Sequence, residues 1–594
     1  ERLSEKVNAL SKASAADRAE ILVFARAARM AVEDGMFYSE KEVDQARDLL
    51  KLAEARAGML SSGHSGSQLI GTAEAATAKP QLVAGGFQSR IDGSIQPYGL
   101  VLPAEATLSD KKPRRLDVWL HGRGEKTSEV AFLYQRLHNA GEIAPADTIV
   151  LHPYGRYCNA FKFAGEIDVL EAIEHVKQLY AIDDNRIVIR GFSMGGAGCW
   201  QMAVHYPGLW MAATPGAGFS ETTEFLKAFQ QEDFQPSPTQ KLLLNWYDCP
   251  GWSNNLRLLP TIAYSGEIDR QKQAADVMEA AMKQRGLVLK HIIGPQTAHK
   301  LHPDSKAEIE KLLAELAKKG HAHVPRAVDF TTFTLRYAND AWLTLEGLEQ
   351  HWHEARVQAE LQPPHSISLK TQNVSRLAIQ LPADQMVLDR TGPLEITIDG
   401  AKIQVSQASG GKTLGATLKK SQSGWTLVEG AGDAATLRKK PGLQGPIDDA
   451  FLDAFVFIGP ETNKLTDSAT DKWITSEFAH AKQEWRRHYR GDVVVRNADQ
   501  EAQSSSNFVY GPLRFAFGPQ PGHARHRCGR QRQCAGGGAQ RMSDDGPRRS
   551  VGLHHGGKRF REQRDGRERA LRCPVPRRIE RDEVIVVLQI PREG

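Results

Sequence analysis

The segment RIVIRGFSMGGAGCW, residues 186–200, restricts what this chain can fold into more than any other. Ile187, Val188 and Ile189 form a β-branched run of the kind found in a short buried strand. The run stops at Gly191-Phe192-Ser193-Met194-Gly195, and small residues then open a helix carrying Trp200, Met202 and Ala203. A strand that turns into a helix through G-x-S-x-G holds its central residue in a strained backbone conformation, so its neighbours must lack side chains. Ser193 is thereby lifted above the sheet edge, beside the unpaired N–H groups of the helix start. A bare G-x-S-x-G is a weak pattern, but in this strand–turn–helix setting it reads as a nucleophile elbow rather than a structural turn.

A serine hydroxyl is a poor nucleophile at neutral pH and needs a base, which in turn needs an orienting acid. In the elbow topology the chain order is Ser, acid, His. The acid is expected after the next-but-one strand, where Asp269 ends AYSGEID; the base is expected in a loop before the last helix, where His299 lies. The implied roles are nucleophile for Ser193, general base then acid for His299, and imidazolium orientation for Asp269. Glu267 competes with Asp269, and His302 competes with His299, although Pro303 makes His302 look like the start of the next helix. Two N–H donors are needed for the oxyanion: Met194, and the HGRG loop at 121–124, where Arg123 is favoured with Gly122 as its neighbour. His121 reads as a structural hydrogen-bonding residue.

The His321/His323 and His351/His353 pairs lack a third ligand at a convincing spacing and read as surface or strand residues, so no metal site is assigned. Neither a G-x-G-x-x-G after a strand nor a Walker loop occurs, so no cofactor is expected.

At 594 residues the chain should hold more than one domain. Residues 1–75 read as a pair of helices followed by a Ser/Gly/Ala/Thr-rich linker. From 76 to 320, strands alternate with helices: a hairpin around Asp92-Gly93, strands at 116–120, 148–151, 187–191 and 242–246, and a strand leading into Asp269. That pattern predicts an α/β fold with a mainly parallel sheet covered on both faces. From 324 to 460 the period changes to two, which predicts a small antiparallel β-sandwich. A helical and strand extension occupies 461–506.

The net charge of +5 belongs to one segment. Between Pro521 and Glu580 there are 15 Arg and one Lys against six acidic residues, which leaves the remainder at about −5. The tail, 507–594, reads as a poorly ordered basic extension or a stretch translated out of frame, and neither a nucleic-acid nor a membrane partner is inferred from it. The six cysteines do not form a disulfide framework and leave the redox compartment open. Localisation is left open, with a secreted or periplasmic setting favoured.

With these residues in place, 86–319 resembles the α/β-hydrolase superfamily through RIDGSIQPYGLVLP, VWLHGRGE, RIVIRGFSMGGAGCW and YSGEID. Within it the motifs are similar to those of feruloyl esterases, acetyl esterases and polyhydroxybutyrate-depolymerase-like enzymes. Such sequences are often grouped with prolyl oligopeptidase family peptidases, which share the elbow and triad order. The resemblance implies a serine hydrolase acting on a small-molecule or polymer ester. Prolyl oligopeptidases resemble one another in a β-propeller ahead of the hydrolase domain; here only helices and a hairpin precede it. That favours an open active-site mouth and ester cleavage, with a peptidase, or a binding protein on an inactive hydrolase fold, as the alternatives. The sandwich is expected to cover an apolar face in preference to binding polysaccharide.

Overall fold

In a computed structural model of the chain, the apolar run before Ser193 is the centre of an eight-stranded sheet. The structure describes residues 2–10, 13–70, 80–103, 112–322, 324–382, 388, 392–406, 413–428, 438–459, 468–496 and 587–589. The reading of the tail at 507–594 lies outside the described residues except for the short strand Val587–Gln589. No helix among the described residues is long and apolar enough to cross a membrane.

The strands are β1 (Gln81–Gln88), β2 (Ile95–Leu102), β3 (Arg114–Leu120), β4 (Thr148–Pro153), β5 (Ile182–Phe192), β6 (Ala212–Gly216), β7 (Ile262–Gly266) and β8 (Lys290–Gly294). They lie in the order β1-β2-β4-β3-β5-β6-β7-β8. β1 and β2 form the expected hairpin, with Gln88 opposite Ile95, and β2 runs antiparallel to β4. Every later neighbour is parallel. β3, β4, β6 and β7 are buried along their whole length, as helices on both faces require. A charged cluster sits in this interior: Asp117 accepts from Arg115 Nε at 2.6 Å and from Arg190 at 2.8 Å. Buried and multiply paired, it costs little only while all its partners stay.

One expected strand is in the wrong place. Residues 242–246 are not a strand: Pro238–Leu244 is a helix and Trp246 follows it in a turn. Ser237 and Gln240 form a reciprocal capping box with Pro238 in the first turn, a start signal that outweighs the apolar Leu242-Leu243-Leu244 run. The strand between elbow and acid is instead β6, Ala212-Ala213-Thr214-Pro215-Gly216, whose small residues carry no periodic signal.

The N-terminal helices Ala15–Glu33 and Glu40–Ser61 pack on the hairpin side of the sheet. Glu20 anchors them: its carboxylate accepts from Tyr98 Oη at 2.7 Å and from Gly86 N at 3.2 Å, and meets His175 Nε2 at 2.7 Å. Within the expected linker, Ser67–Ile70 is a helical turn with Leu69 and Ile70 buried, and 71–79 lie outside the described residues. At the other end, the helix Ser468–Tyr489 returns to the hairpin turn, where Trp485 Nε1 donates to Asp92 Oδ2 at 2.8 Å.

Two five-stranded sheets build the second layer system, with alternating burial in strands such as Ala355–Gln362. Their inner faces share one core that includes Phe330, Leu345, Val357, Ile367, Leu377 and Ile396. The sandwich is antiparallel as expected apart from one pair, Ser366–Gln372 beside Leu394–Ile398, which is parallel. It meets the hydrolase sheet system at the C-terminal end of the elbow helix, Met194–His205. There Asn255 donates to Thr331 O at 2.9 Å and to Val204 O at 2.8 Å, and the Tyr337 ring stacks on His205 at 3.7 Å. A helix of that length spans about 18 Å, so these contacts lie away from Ser193.

Candidate active site

Ser193 is the only residue between β5 and the elbow helix, and it has φ 60° and ψ −121°. A side chain pays strain to adopt such a conformation, and non-glycine residues keep it only where the surroundings over-determine it. The surroundings here are tight. A Cβ on Gly191 would overlap the Gly195 carbonyl, and one on Gly195 would overlap Leu120 O. Ser193 N donates to Gly216 O at 2.9 Å, tying the elbow to β6.

Asp269 and His299 come together. Asp269 lies three residues beyond β7, and its Oδ1 accepts from Gln271 N at 2.9 Å, which fixes the carboxylate. Its Oδ2 then meets His299 Nδ1 at 2.8 Å. The acid side chain is 3% exposed and the imidazole 41% exposed, so one end of the pair is dry and the other faces solvent. The His299 loop is held from below: Ile268 N donates to Thr297 O at 3.1 Å, and Tyr264 Oη donates to Lys300 O at 2.8 Å. The Phe192 ring, from the residue before the serine, lies 4.8 Å from the imidazole. Among the described residues no hydrogen bond joins Ser193 Oγ to His299; such bonds often tighten only when substrate binds.

The alternatives have other work. Glu267 Oε2 accepts from Gln296 N at 2.7 Å, stapling the loop from its exposed side. His302 precedes the helix Pro303–Lys319 and donates its backbone N–H to Tyr264 Oη at 2.8 Å. Neither meets the other triad candidates.

The loop 121–124 runs beside the serine. A Cβ on Gly122 would lie 3.9 Å from Ser193 Cβ, so the backbone approach that an oxyanion donor needs is available at Gly122 and Arg123. Met194 opens the elbow helix, where its N–H has no intrahelical acceptor. His121 is structural: its ring nitrogens face Gly122 O at 2.8 Å and Tyr154 O at 2.9 Å, and burial holds its imidazole below the ordinary range.

Some neighbours had no signal in the sequence. Cys158 Sγ lies 3.7 Å from Met194 Sδ, and burial pushes its thiol up. Gln271 Oε1 accepts from Gly218 N at 3.0 Å, linking the acid's loop to the segment after β6. Asp276, Glu279 and His291 bring ligand atoms within 4.8 Å of one another, a grouping not expected from their spacing. Lys272 Nζ already pairs with Asp276 there.

Residues 165–319, which contain all three candidate triad residues, match the prolyl oligopeptidase family. The sheet order and the strand–turn–helix around Ser193 are those of an α/β-hydrolase fold. The hydrolase is similar to solved structures at low identity. One is a Bacteroides ovatus protein described as a dipeptidyl aminopeptidase IV, at 14% identity and TM-score 0.32 over 41% of this chain and 36% of that one. Another is a ferulic acid esterase, at 16% identity and TM-score 0.30 over 41% of this chain and 99% of that one. A third is an S-formylglutathione hydrolase from Agrobacterium tumefaciens, at 15% identity and TM-score 0.29 over 41% of this chain and 97% of that one. The hydrolase thus spans about a third of the first of these proteins and nearly all of the other two. No curated protein sequence matches the chain.

Proposed function

We propose that this hydrolase cleaves carboxylic esters by two-step acyl transfer. Ser193 Oγ attacks the ester carbonyl as His299 Nε2 takes its proton. Asp269 holds the imidazole through Nδ1 and stabilises the charge it gains. The tetrahedral oxyanion is received by the Met194 N–H and the Arg123 N–H, with Gly122 keeping the approach open. His299 then protonates the departing alcohol, and a water activated by the same imidazole frees the acid.

The observation that carries the reading is the 2.8 Å contact between Asp269 and the half-exposed His299, on the loop that flanks the strained serine. An ester substrate is favoured over a peptide because the sandwich docks at the far end of the elbow helix, and the N-terminal helices pack on the hairpin side. The mouth above Ser193 is therefore not screened by these two regions at their points of contact.

Hydrolysis of p-nitrophenyl butyrate tests it. Ser193→Ala is expected to lower kcat by about 10⁴-fold or more while the melting temperature holds. Undiminished turnover in that variant sinks the assignment. Faster cleavage of proline anilides than of aryl esters by the unaltered chain turns the reading to a peptidase.

A further inference from the structure

Between β6 and β7 the chain makes a surface excursion whose helical turns, Thr223–Phe225, Leu226–Gln230 and Pro238–Leu244, bury no residue. It starts at the nucleophile: a Cβ on Gly218 would crowd Ser193 O and Ala197 N. The next residues form an aromatic row, Phe219 to Phe225 at 4.6 Å and Phe225 to Phe229 at 4.9 Å between ring centroids. The row ends at the acid's loop, where Arg270, next to Asp269, lies 5.3 Å over the Phe229 ring and donates to Ala228 O. Three rings thus run from beside the serine to beside the acid.

Across from the row is a second unusual segment, 155–163. Arg156, Tyr157, Ala160, Phe161 and Phe163 all have positive φ without being glycine. The strain is held by specific bonds. Asn159 Oδ1 accepts from Phe161 N at 2.9 Å, Gln201 Nε2 donates to Ala160 O at 3.2 Å, and Phe163 N donates to Tyr247 Oη at 2.7 Å. Such strain is concentrated at ligand clamps and active sites. The segment projects Lys162, whose ammonium lies 5.3 Å from the Phe219 ring centre and 5.2 Å from that of Tyr247.

Lys162 is half-buried, and among the described residues no ion pair or hydrogen bond ends on its Nζ. Asp248 acts on it through space only. Burial pushes the Asp248 carboxyl up to about 7, and its Oδ1 accepts from Thr222 Oγ1 at 2.7 Å. Near neutral pH that carboxyl is partly protonated and compensates the lysine charge only in part. A cation held between two aromatic faces with no direct ion pair is suited to receive an anion.

We propose that Lys162 is a specificity-determining residue for the hydrolase, pairing with a carboxylate that the ester substrate carries on an apolar spacer lying along Phe219. The inference rests on the reading of Ser193 as the nucleophile, and the test separates the two. The substrates are p-nitrophenyl monoesters of succinic, adipic and suberic acid, each beside its methyl-capped diester, which keeps the length and removes the charge. The readout is the charged-to-capped ratio of kcat/KM for p-nitrophenolate release. With the full-length chain the ratio is expected to exceed one for at least one spacer length. Lys162→Met should lower it about tenfold, and Lys162→Arg should keep most of it. A ratio that stays put in Lys162→Met, or falls as far in Lys162→Arg, overturns the assignment while leaving Ser193 untouched. Release of p-nitrophenolate from neither member of any pair overturns the serine reading, and this one with it.

Discussion

The two ends of the elbow helix each hold a histidine facing a carboxylate, and the pairs could not be used more differently. At the N-terminal end, His299 contacts Asp269 at 2.8 Å and keeps 41% of its side chain exposed. At the C-terminal end, His205 Nδ1 sits 3.5 Å from Glu166 Oε2 with both side chains fully buried. Its Nε2 is engaged by Trp246 O at 2.8 Å, and the Tyr337 ring stacks on its face. Burial pushes the Glu166 carboxyl up, but the close approach of His205, with a hydrogen bond from Tyr206, outweighs it and leaves the group below its ordinary range. What separates the proposed proton-transfer pair from a fastener is therefore the rest of the ring: a part-exposed imidazole in one, a second nitrogen spent on a carbonyl in the other.

Exchanging the two histidines one at a time puts that contrast under the greatest load. His299→Gln should cut ester kcat about 10³–10⁴-fold with little change in melting temperature. His205→Gln should do the reverse, lowering the melting temperature and sparing kcat per folded molecule. A kinetic defect in His205→Gln without a stability defect breaks the comparison.

Within the catalytic end, Asp269→Asn should cost at least about 10²-fold in kcat, because the amide favours the wrong imidazole tautomer. Glu267→Gln, which alters only a loop staple, should stay within about threefold. Equal losses in these two variants would return the acid to Glu267.

At the structural end, Tyr337 Oη donates to Glu166 Oε2 at 2.9 Å and accepts from Trp246 Nε1 at 2.9 Å. Tyr337→Phe strands both partners and should cost about 1–3 kcal/mol in denaturant unfolding, with ester kinetics unmoved.

The smallest effect concerns pH. Burial raises Asp340, where the sandwich meets the turn after the elbow helix, from 3.8 to about 7. The folded chain keeps a proton there that the unfolded chain releases above about pH 4. The associated stability is complete below that value and is lost as pH rises through 7. Melting from pH 4 to 8 should show a shallower decline in Asp340→Asn than in the unaltered chain. Parallel curves count against it.

The meeting of Asp269 with His299 beside the elbow, the proposed catalytic end, could be anticipated from the residues because each part has a local cause with a chemical spelling. Glycines flank Ser193 where backbones touch, a strand precedes Asp269, and a Pro-Thr loop carries His299. The choice of Asp269 over Glu267 was weaker, since both follow β7 closely and what tells them apart is tertiary: the His299 contact and Gln271 cap on Asp269, and the Gln296 staple on Glu267. β6 escaped notice because Ala-Ala-Thr-Pro-Gly gains its burial from neighbours rather than from apolar side chains. The helix at Pro238–Leu244 was hidden by three leucines that suit either element. Residues 155–163 left no trace of their positive φ values because, beside Asn159 within the segment, the Gln201 and Tyr247 side chains that hold them come from elsewhere in the chain. That information is tertiary.

The fastening of residues 26–34 to residues 486–490 limits how this protein can be trimmed. Arg26 donates to Arg490 O at 2.5 Å, while Arg486 reaches Glu33 at 2.6 Å and Asp34 at 2.9 Å. Beneath that clasp, Glu20 and Trp485 complete hydrogen bonds of the hairpin beside the catalytic sheet. A fragment cut to the hydrolase segment alone would bare Tyr98, His175 and Asp92 together. The smallest working piece must then begin ahead of Ser14 and run past Arg490, sandwich included.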